Sequence, residues 1–135
     1  MMRNVRIVPQ NGMSKILIAD DSRFQIALLS KSLEEKGFEV MAALDALQAW
    51  MIALRAVPDV ILLDINMPGG SGIEVLRRLR ISAKTQHIPV IVVSGNTEPS
   101  TEQLAKHLGA ADFFHKPVDT GQLCDTLSRL LSPAR

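Results

Sequence analysis

The chain is poor in cysteine, carries no real excess of charge of either sign, and has no apolar run longer than a strand. Cys124, alone among 135 residues, cannot form an internal disulfide, which fits a reducing, cytoplasmic setting. It lies in an apolar-periodic segment without an obvious activating partner, so it reads as an inert thiol, packed or semi-exposed. Fifteen Lys and Arg against fourteen Asp and Glu leave a net charge of +1, which gives no electrostatic case for direct nucleic-acid binding. Strand-length apolar runs are far too short to cross a bilayer. The three histidines, His87, His107 and His115, are dispersed, so no Cys/His zinc cluster is offered. No Gly-x-Gly-x-x-Gly turn follows the first apolar run, which disfavours a dinucleotide fold. Internal repeats and low-complexity segments are absent. Residues 1–12 lack the apolar core of a signal peptide. Met13-Ser14-Lys15 can itself serve as a translation start. The expected organisation is a flexible tail over 1–13, a single domain over 14–132, and a short C-terminal end at 133–135.

What is present is a regular alternation of short β-branched runs with helix-length segments, the pattern of a parallel sheet covered on both faces. The first strand is expected over Ile16-Leu17-Ile18-Ala19. The first helix should run from about Ser22 to near Gly37, with Ile26, Leu29 and Leu33 at inward spacing and Gly37 suited to a left-handed cap. Phe38 to Ala42 reads as a second strand. Asp45 and Gln48 form a capping pair for a helix carrying Leu47, Trp50, Met51 and Leu54, which Pro58 terminates. Val60 to Leu63 is the third strand, and a Gly-rich loop leads to a helix over Ile73 to Ser82. Pro89 starts the fourth strand. Ser100 with Gln103 has capping-box spacing before a helix that ends ahead of Gly109, and Asp119 with Gln122 repeats the device before a last helix holding Leu123, Leu127, Leu130 and Leu131. The cluster Arg77, Arg78 and Arg80 reads as a solvated helical face.

Four strand ends carry the chemistry. Ile16 to Ala19 ends in Asp20-Asp21, Val60 to Leu63 in Asp64, Val90 to Val93 in Ser94, and Phe113-Phe114-His115 in Lys116-Pro117. In an open α/β sheet the strand C-termini share one crevice, so these groups can converge. Two like charges about 4 Å apart repel by roughly 4 kcal/mol at an effective dielectric near 20, so three carboxylates together call for a cation. Mg²⁺ suits an all-oxygen site that is completed by a substrate phosphate. Asp64, at the end of an apolar strand, is the candidate nucleophile for an acyl phosphate, with Lys116 and Ser94 placed to neutralise the phosphoryl oxygens.

With Ile18-Ala19-Asp20-Asp21-Ser22, Leu63-Asp64-Ile65-Asn66-Met67-Pro68, Val92-Val93-Ser94-Gly95 and Gly109 to Pro117 in this order, the chain resembles the receiver domain of two-component response regulators. The match runs from Ser14 to Leu131 and is of the stand-alone, chemotaxis type. The resemblance implies a flavodoxin-like, doubly wound five-stranded parallel sheet of order 2-1-3-4-5. It implies that Asp64 accepts a phosphoryl group from a phosphohistidine on a sensor histidine kinase or a histidine phosphotransfer protein. It further implies Mg²⁺ held by Asp21 and Asp64 directly, by the Asn66 backbone carbonyl, and by Asp20 largely through water. Lys116 would pair with the phosphate. Ser94 fills the hydroxyl switch position and Phe113 the aromatic one, where many relatives carry tyrosine, and Lys116-Pro117 resembles the family's cis peptide. The loop Gly69-Gly70-Ser71-Gly72 keeps the usual final glycine and is otherwise less typical. Output is expected through a downstream partner protein or a phosphorylation-dependent dimer, with no membrane attachment.

Two rivals differ in class. An aspartate-nucleophile phosphohydrolase commonly needs a second acid two residues after the nucleophile; here that residue is Asn66, and the chain has no room for a substrate-covering cap. A pseudo-receiver acting only as a binding module is disfavoured because every chemical position is retained. The expected chain is therefore a switch, with no enzymatic activity beyond self-phosphorylation from a phosphodonor and autodephosphorylation.

Overall fold

Successive residues of a strand face opposite sides, so a strand buried on both faces must be apolar throughout, and three of the five strands meet that condition almost without exception. The computed structural model describes residues 13–67, 71–95 and 98–131. The strands are β1 (Lys15–Ala19), β2 (Glu39–Ala43), β3 (Val60–Asp64), β4 (Val90–Ser94) and β5 (Asp112–His115). All pair in parallel, in the order β2-β1-β3-β4-β5. Leu17, Ile61, Leu63, Val90, Val92 and Phe113 point to one side, where they meet α2 (Ala46–Ala56), α3 (Gly72–Ile81) and α4 (Pro99–His107). Ile16, Ile18, Val60, Leu62, Ile91 and Val93 point to the other, against α1 (Arg23–Glu35) and α5 (Thr120–Leu131). The expected doubly wound architecture is therefore the observed one.

Helix ends follow local chemistry. The Ser22 hydroxyl accepts from the Gln25 N–H at 3.1 Å and starts α1. Gly37, at φ +94°, ends it: its N–H reaches the Glu34 carbonyl and the Phe38 N–H the Leu33 carbonyl, a Schellman closure. Asp45 caps α2 through the Gln48 N–H at 2.8 Å, and the Gln48 side chain returns to the Leu44 N–H at 2.9 Å. Asp119 accepts from the Gln122 N–H at 3.1 Å at the head of α5.

Several expectations need correction. Strand β2 is shifted one residue from Phe38–Ala42, because Phe38 completes the α1 cap and then packs in the core. On α2 the inward residues are Ala46, Ala49 and Ala53, while Leu47 and Met51 are exposed; three small side chains form the face that meets the sheet. Ser100 does not cap α4: Glu98 is the N-cap, its side chain making no capping hydrogen bond, and Pro99 fills the first turn, where its missing N–H costs nothing. The arginine cluster on α3 divides. Arg77 is an exposed partner of Glu74 at 3.7 Å, Arg78 lies 5.9 Å over the Trp50 ring, and Arg80 turns inward to donate to the Ile88 carbonyl beside Gly109. The tail over 1–12, the loop residues Pro68, Gly69 and Gly70, and residues 132–135 lie outside the described residues.

Gly72 opens α3 in contact with the end of β3. Its N–H donates to the Ile65 carbonyl at 2.7 Å, and a methyl group there would lie 2.3 Å from the Asp64 carbonyl oxygen and 2.8 Å from the Ile65 Cα. No side chain can yield to that clash, since the opposing atoms are backbone. Gly72→Ala is expected to cost about 1–3 kcal/mol in urea unfolding, the range for forced overpacking. Gly95→Ala, where an added carbon meets nothing within 4 Å, should stay within about 0.5 kcal/mol of the parent. Equal effects at the two glycines would contradict the packing described here.

Candidate functional site

The C-terminal ends of β1 and β3 are adjacent, since β1 pairs with both β2 and β3, and the chain leaves them in opposite directions. Asp20 continues the β1 ladder with its N–H on the Ala43 carbonyl at 3.0 Å. Its Oδ1 accepts the Ser22 N–H at 2.9 Å. Asp64 does the same at the end of β3, where its Oδ1 accepts the Asn66 N–H at 3.0 Å. In each case a short carboxylate closes a turn two residues ahead, which fixes one oxygen and leaves the other aimed into the crevice.

Lys116 fills that gap. Its backbone N–H is tied to the Ser94 carbonyl at 2.9 Å, and the Lys116-Pro117 peptide is cis. Its Nζ lies 3.1 Å from Oδ2 of Asp20 and 3.1 Å from Oδ2 of Asp64. Asp20 and Asp64 are buried, and Asp21 is exposed at the rim. Ser94 is wholly buried at the end of β4. The Phe113 ring is also buried, packed on the side of Val92 and Ala105.

Burial raises the Asp64 carboxyl above its ordinary value; the Asn66 N–H and Lys116 pull it back, while the charge of Asp20 adds to the rise. Burial pulls the Lys116 ammonium down, but hydrogen bonds and charge from Asp20 and Asp64 outweigh it and leave it raised. One ammonium therefore serves two buried carboxylates, and the third stands outside the bridge.

Carboxylate oxygens of Asp20, Asp21 and Asp64 lie within 4.8 Å of one another. This hard, all-oxygen donor set, open on the Asp21 side, fits Mg²⁺ and offers nothing to a thiophilic metal. The strand ends named from the sequence thus come together: Asp20, Asp21, Asp64 and Lys116 in one cluster, with Ser94 on the adjoining strand and Asn66 bonded to Asp64. Two contributors escaped sequence reasoning. Gly72 acts through the space it leaves, and the contact of His115 with Phe113 required knowing that residues two apart on β5 share a face.

A family model for the response regulator receiver domain matches residues 16–128. Protein PilH of Pseudomonas aeruginosa is 37% identical over 120 residues, covering 89% of this chain and 99% of that protein. Sporulation initiation phosphotransferase F of Bacillus subtilis is 35% identical over 117 residues, covering 87% of this chain and 93% of that one. The solved structure of the chemotaxis response regulator CheY4 of Vibrio cholerae superposes with a TM-score of 0.81 at 34% identity, over 88% of this chain and 99% of that chain. By contrast the chain spans 23% of response regulator PleD of Caulobacter vibrioides, at 37% identity.

Removing the ammonium tests the bridge. Lys116→Met leaves two buried carboxylates unpaired, which should cost about 3 kcal/mol in chelator near neutral pH. Because the Asp64 carboxyl is raised in the fold, the folded state takes up a proton more readily than the unfolded one. The deficit should therefore shrink as pH falls from about 7 toward the ordinary carboxylate range. In the parent protein the contribution of raised Lys116 should hold below about pH 10.4 and fade as pH rises through the folded value. A deficit in Lys116→Met independent of pH would mean that the side chain stabilises by packing alone.

Proposed function

The chain belongs to the response regulator receiver domain family, and from that membership we propose that Asp64 is its phosphoacceptor and Ser94 and Phe113 its switch residues. Receiver domains are phosphorylatable switches of two-component systems, generally without enzymatic activity of their own, and they interact with histidine kinases or phosphotransfer proteins and with output targets. The observation that carries the assignment is the Lys116 ammonium 3.1 Å from the Asp64 oxygen that the turn leaves free.

Receiver domains bind Mg²⁺ at an acidic pocket; here Asp21, Asp64 and the Asn66 carbonyl would hold it directly and Asp20 mainly through water. Bound there, it supplies positive charge to the phosphoryl oxygens. Asp64 attacks phosphorus with its free oxygen, so that an O–P bond forms as the N–P bond of a phosphohistidine breaks and the imidazole leaves with the electron pair. Lys116 pairs with one phosphoryl oxygen, and the Ser94 hydroxyl donates to another. Drawing Ser94 toward the phosphoryl group changes the space beside Phe113, which biases the face of α4, β5 and α5. That bias is limited to the difference in interaction of the phosphoryl group with the two states. The free Cys124 supports a cytoplasmic setting, and no helix among the described residues is long and apolar enough to cross a membrane.

Acetyl phosphate with Mg²⁺ should add one phosphoryl group, labile to hydroxylamine, as read by intact mass. Retention of the label in Asp64→Ala would sink the assignment. In thermal melts, millimolar Mg²⁺ should stabilise the parent by mass action, while Asp21→Ala should lose most of that gain and Asp20→Ala less. A melting temperature insensitive to Mg²⁺, with labelling retained in chelator, would refute the acidic-pocket reading. Ser94→Ala and Phe113→Ala should be labelled yet respond weakly at the α4–β5–α5 face, as read by amide NMR with beryllofluoride; a parental response in both would remove them from the switch.

A further inference from the structure

Phe113 and His115 are two residues apart on β5, so both rings lie on the α4 side of the sheet. Their centroids are 5.1 Å apart with the planes at 63°, an edge-to-face contact. Beyond His115 stands Glu102 of α4: its Oε1 is 3.6 Å from the His115 Nε2, and its Oε2 is 2.9 Å from the Nζ of Lys106 one turn along the helix. A row of contacts therefore runs from the buried switch ring, through an imidazole, to a carboxylate on the neighbouring helix.

Resting on the assignment of Phe113 as a switch residue, we propose that His115 and Glu102 are positioning residues forming a proton-dependent latch that holds the Phe113 ring in its buried place, so that output depends on pH. Lys106 first, with His115 contributing, holds the Glu102 carboxyl below its usual range. Glu102 therefore carries its charge throughout the range in which imidazole side chains in general change theirs. At 3.6 Å the neutral contact is too long for a good hydrogen bond, whereas the imidazolium forms an ion pair that ties α4 to β5 across the ring. Other charges near the imidazole are accounted for. Lys106, one turn along α4, is itself paired with Glu102 at 2.9 Å. Asp112, Asp119 and Asp125 line the groove onto which His115 opens, with Asp112 engaged by Arg129 at 3.7 Å and by Thr126 at 3.4 Å, and Asp119 capping α5. Both latch residues keep partial solvent contact, 52% for His115 and 34% for Glu102. The expected bias is accordingly small, about two- to fivefold in the ratio of the two ring states, as for exposed ion pairs.

The test is amide NMR with Mg²⁺ and beryllofluoride at pH 6 and pH 8, taking the response of Ala105 and Phe113 relative to that of Ile65 and Asn66, which report occupancy of the acidic site. The ratio should be about two- to fivefold smaller at the lower pH in the parent, where the latch already holds the ring that occupancy would otherwise shift, and flat in Glu102→Gln and in His115→Phe, which keeps a ring without the charge. A flat ratio in the parent, or an unchanged profile in Glu102→Gln, overturns the latch. Silence of Ile65 and Asn66 would instead overturn the phosphoacceptor assignment. The latch is then judged in the free protein, where the Phe113 ring resonances should move more between pH 8 and 6 in the parent than in Glu102→Gln, and equal movement in the two would overturn it.

Discussion

One ammonium held between two buried carboxylates is the interaction on which the site depends. A buried charge without a partner is costly, and two of like sign at the ends of neighbouring strands are costlier still. Lys116 meets this by bonding to one oxygen of Asp20 and one of Asp64, while the turns at Ser22 and Asn66 take the other oxygens. The arrangement satisfies each carboxylate and still leaves a net negative crevice, with Asp21 at its edge. Structural compensation and readiness for a cation or a phosphoryl group are two aspects of the same charge balance.

The sheet order makes this possible. Placing β1 beside β3 brings Asp20 and Asp64 together, and β4 followed by β5 carries Ser94 and Lys116 in from the other side, the Lys116 N–H being fixed on the Ser94 carbonyl. Burial of β1, β3 and β4 on both faces makes register strict, because a slip of one residue would exchange the inward sets facing α1 and α2. Gly72 then allows α3 to start against the β3 terminus. The α4–β5 face differs in kind: it is held by half-exposed contacts among Glu102, His115 and Phe113, where modest changes in charge can shift a population.

Much of this was legible in the sequence for definite reasons. Strands buried on both faces announce themselves as continuous apolar runs, and polar residues at their ends mark the crevice, so Asp20, Asp64, Ser94 and Lys116 could be grouped before any coordinates. The caps at Asp45 and Asp119 were legible because their chemistry is local. What was hidden depended on distance in the chain. The Ala46, Ala49 and Ala53 face of α2 is masked by larger apolar neighbours, since hydrophobicity alone does not say which side needs small residues. Arg80 reads as a surface charge until the Ile88 carbonyl is found beside it. At α4 two devices compete within three residues, and proline in the first turn prevailed over the Ser100 box.

The charge balance at Lys116 is the central claim, and its ammonium can be observed directly. With lysine side chains labelled with ¹⁵N, the Nζ resonance of Lys116 should be protected from solvent exchange in the free protein, lose that protection in an Asp20→Asn, Asp64→Asn double variant, and remain protected in the parent with Mg²⁺ and beryllofluoride, where a phosphoryl mimic takes up the contact. An ammonium exchanging as freely as a surface lysine in the free parent, and indifferent to loss of both aspartates, would contradict the account.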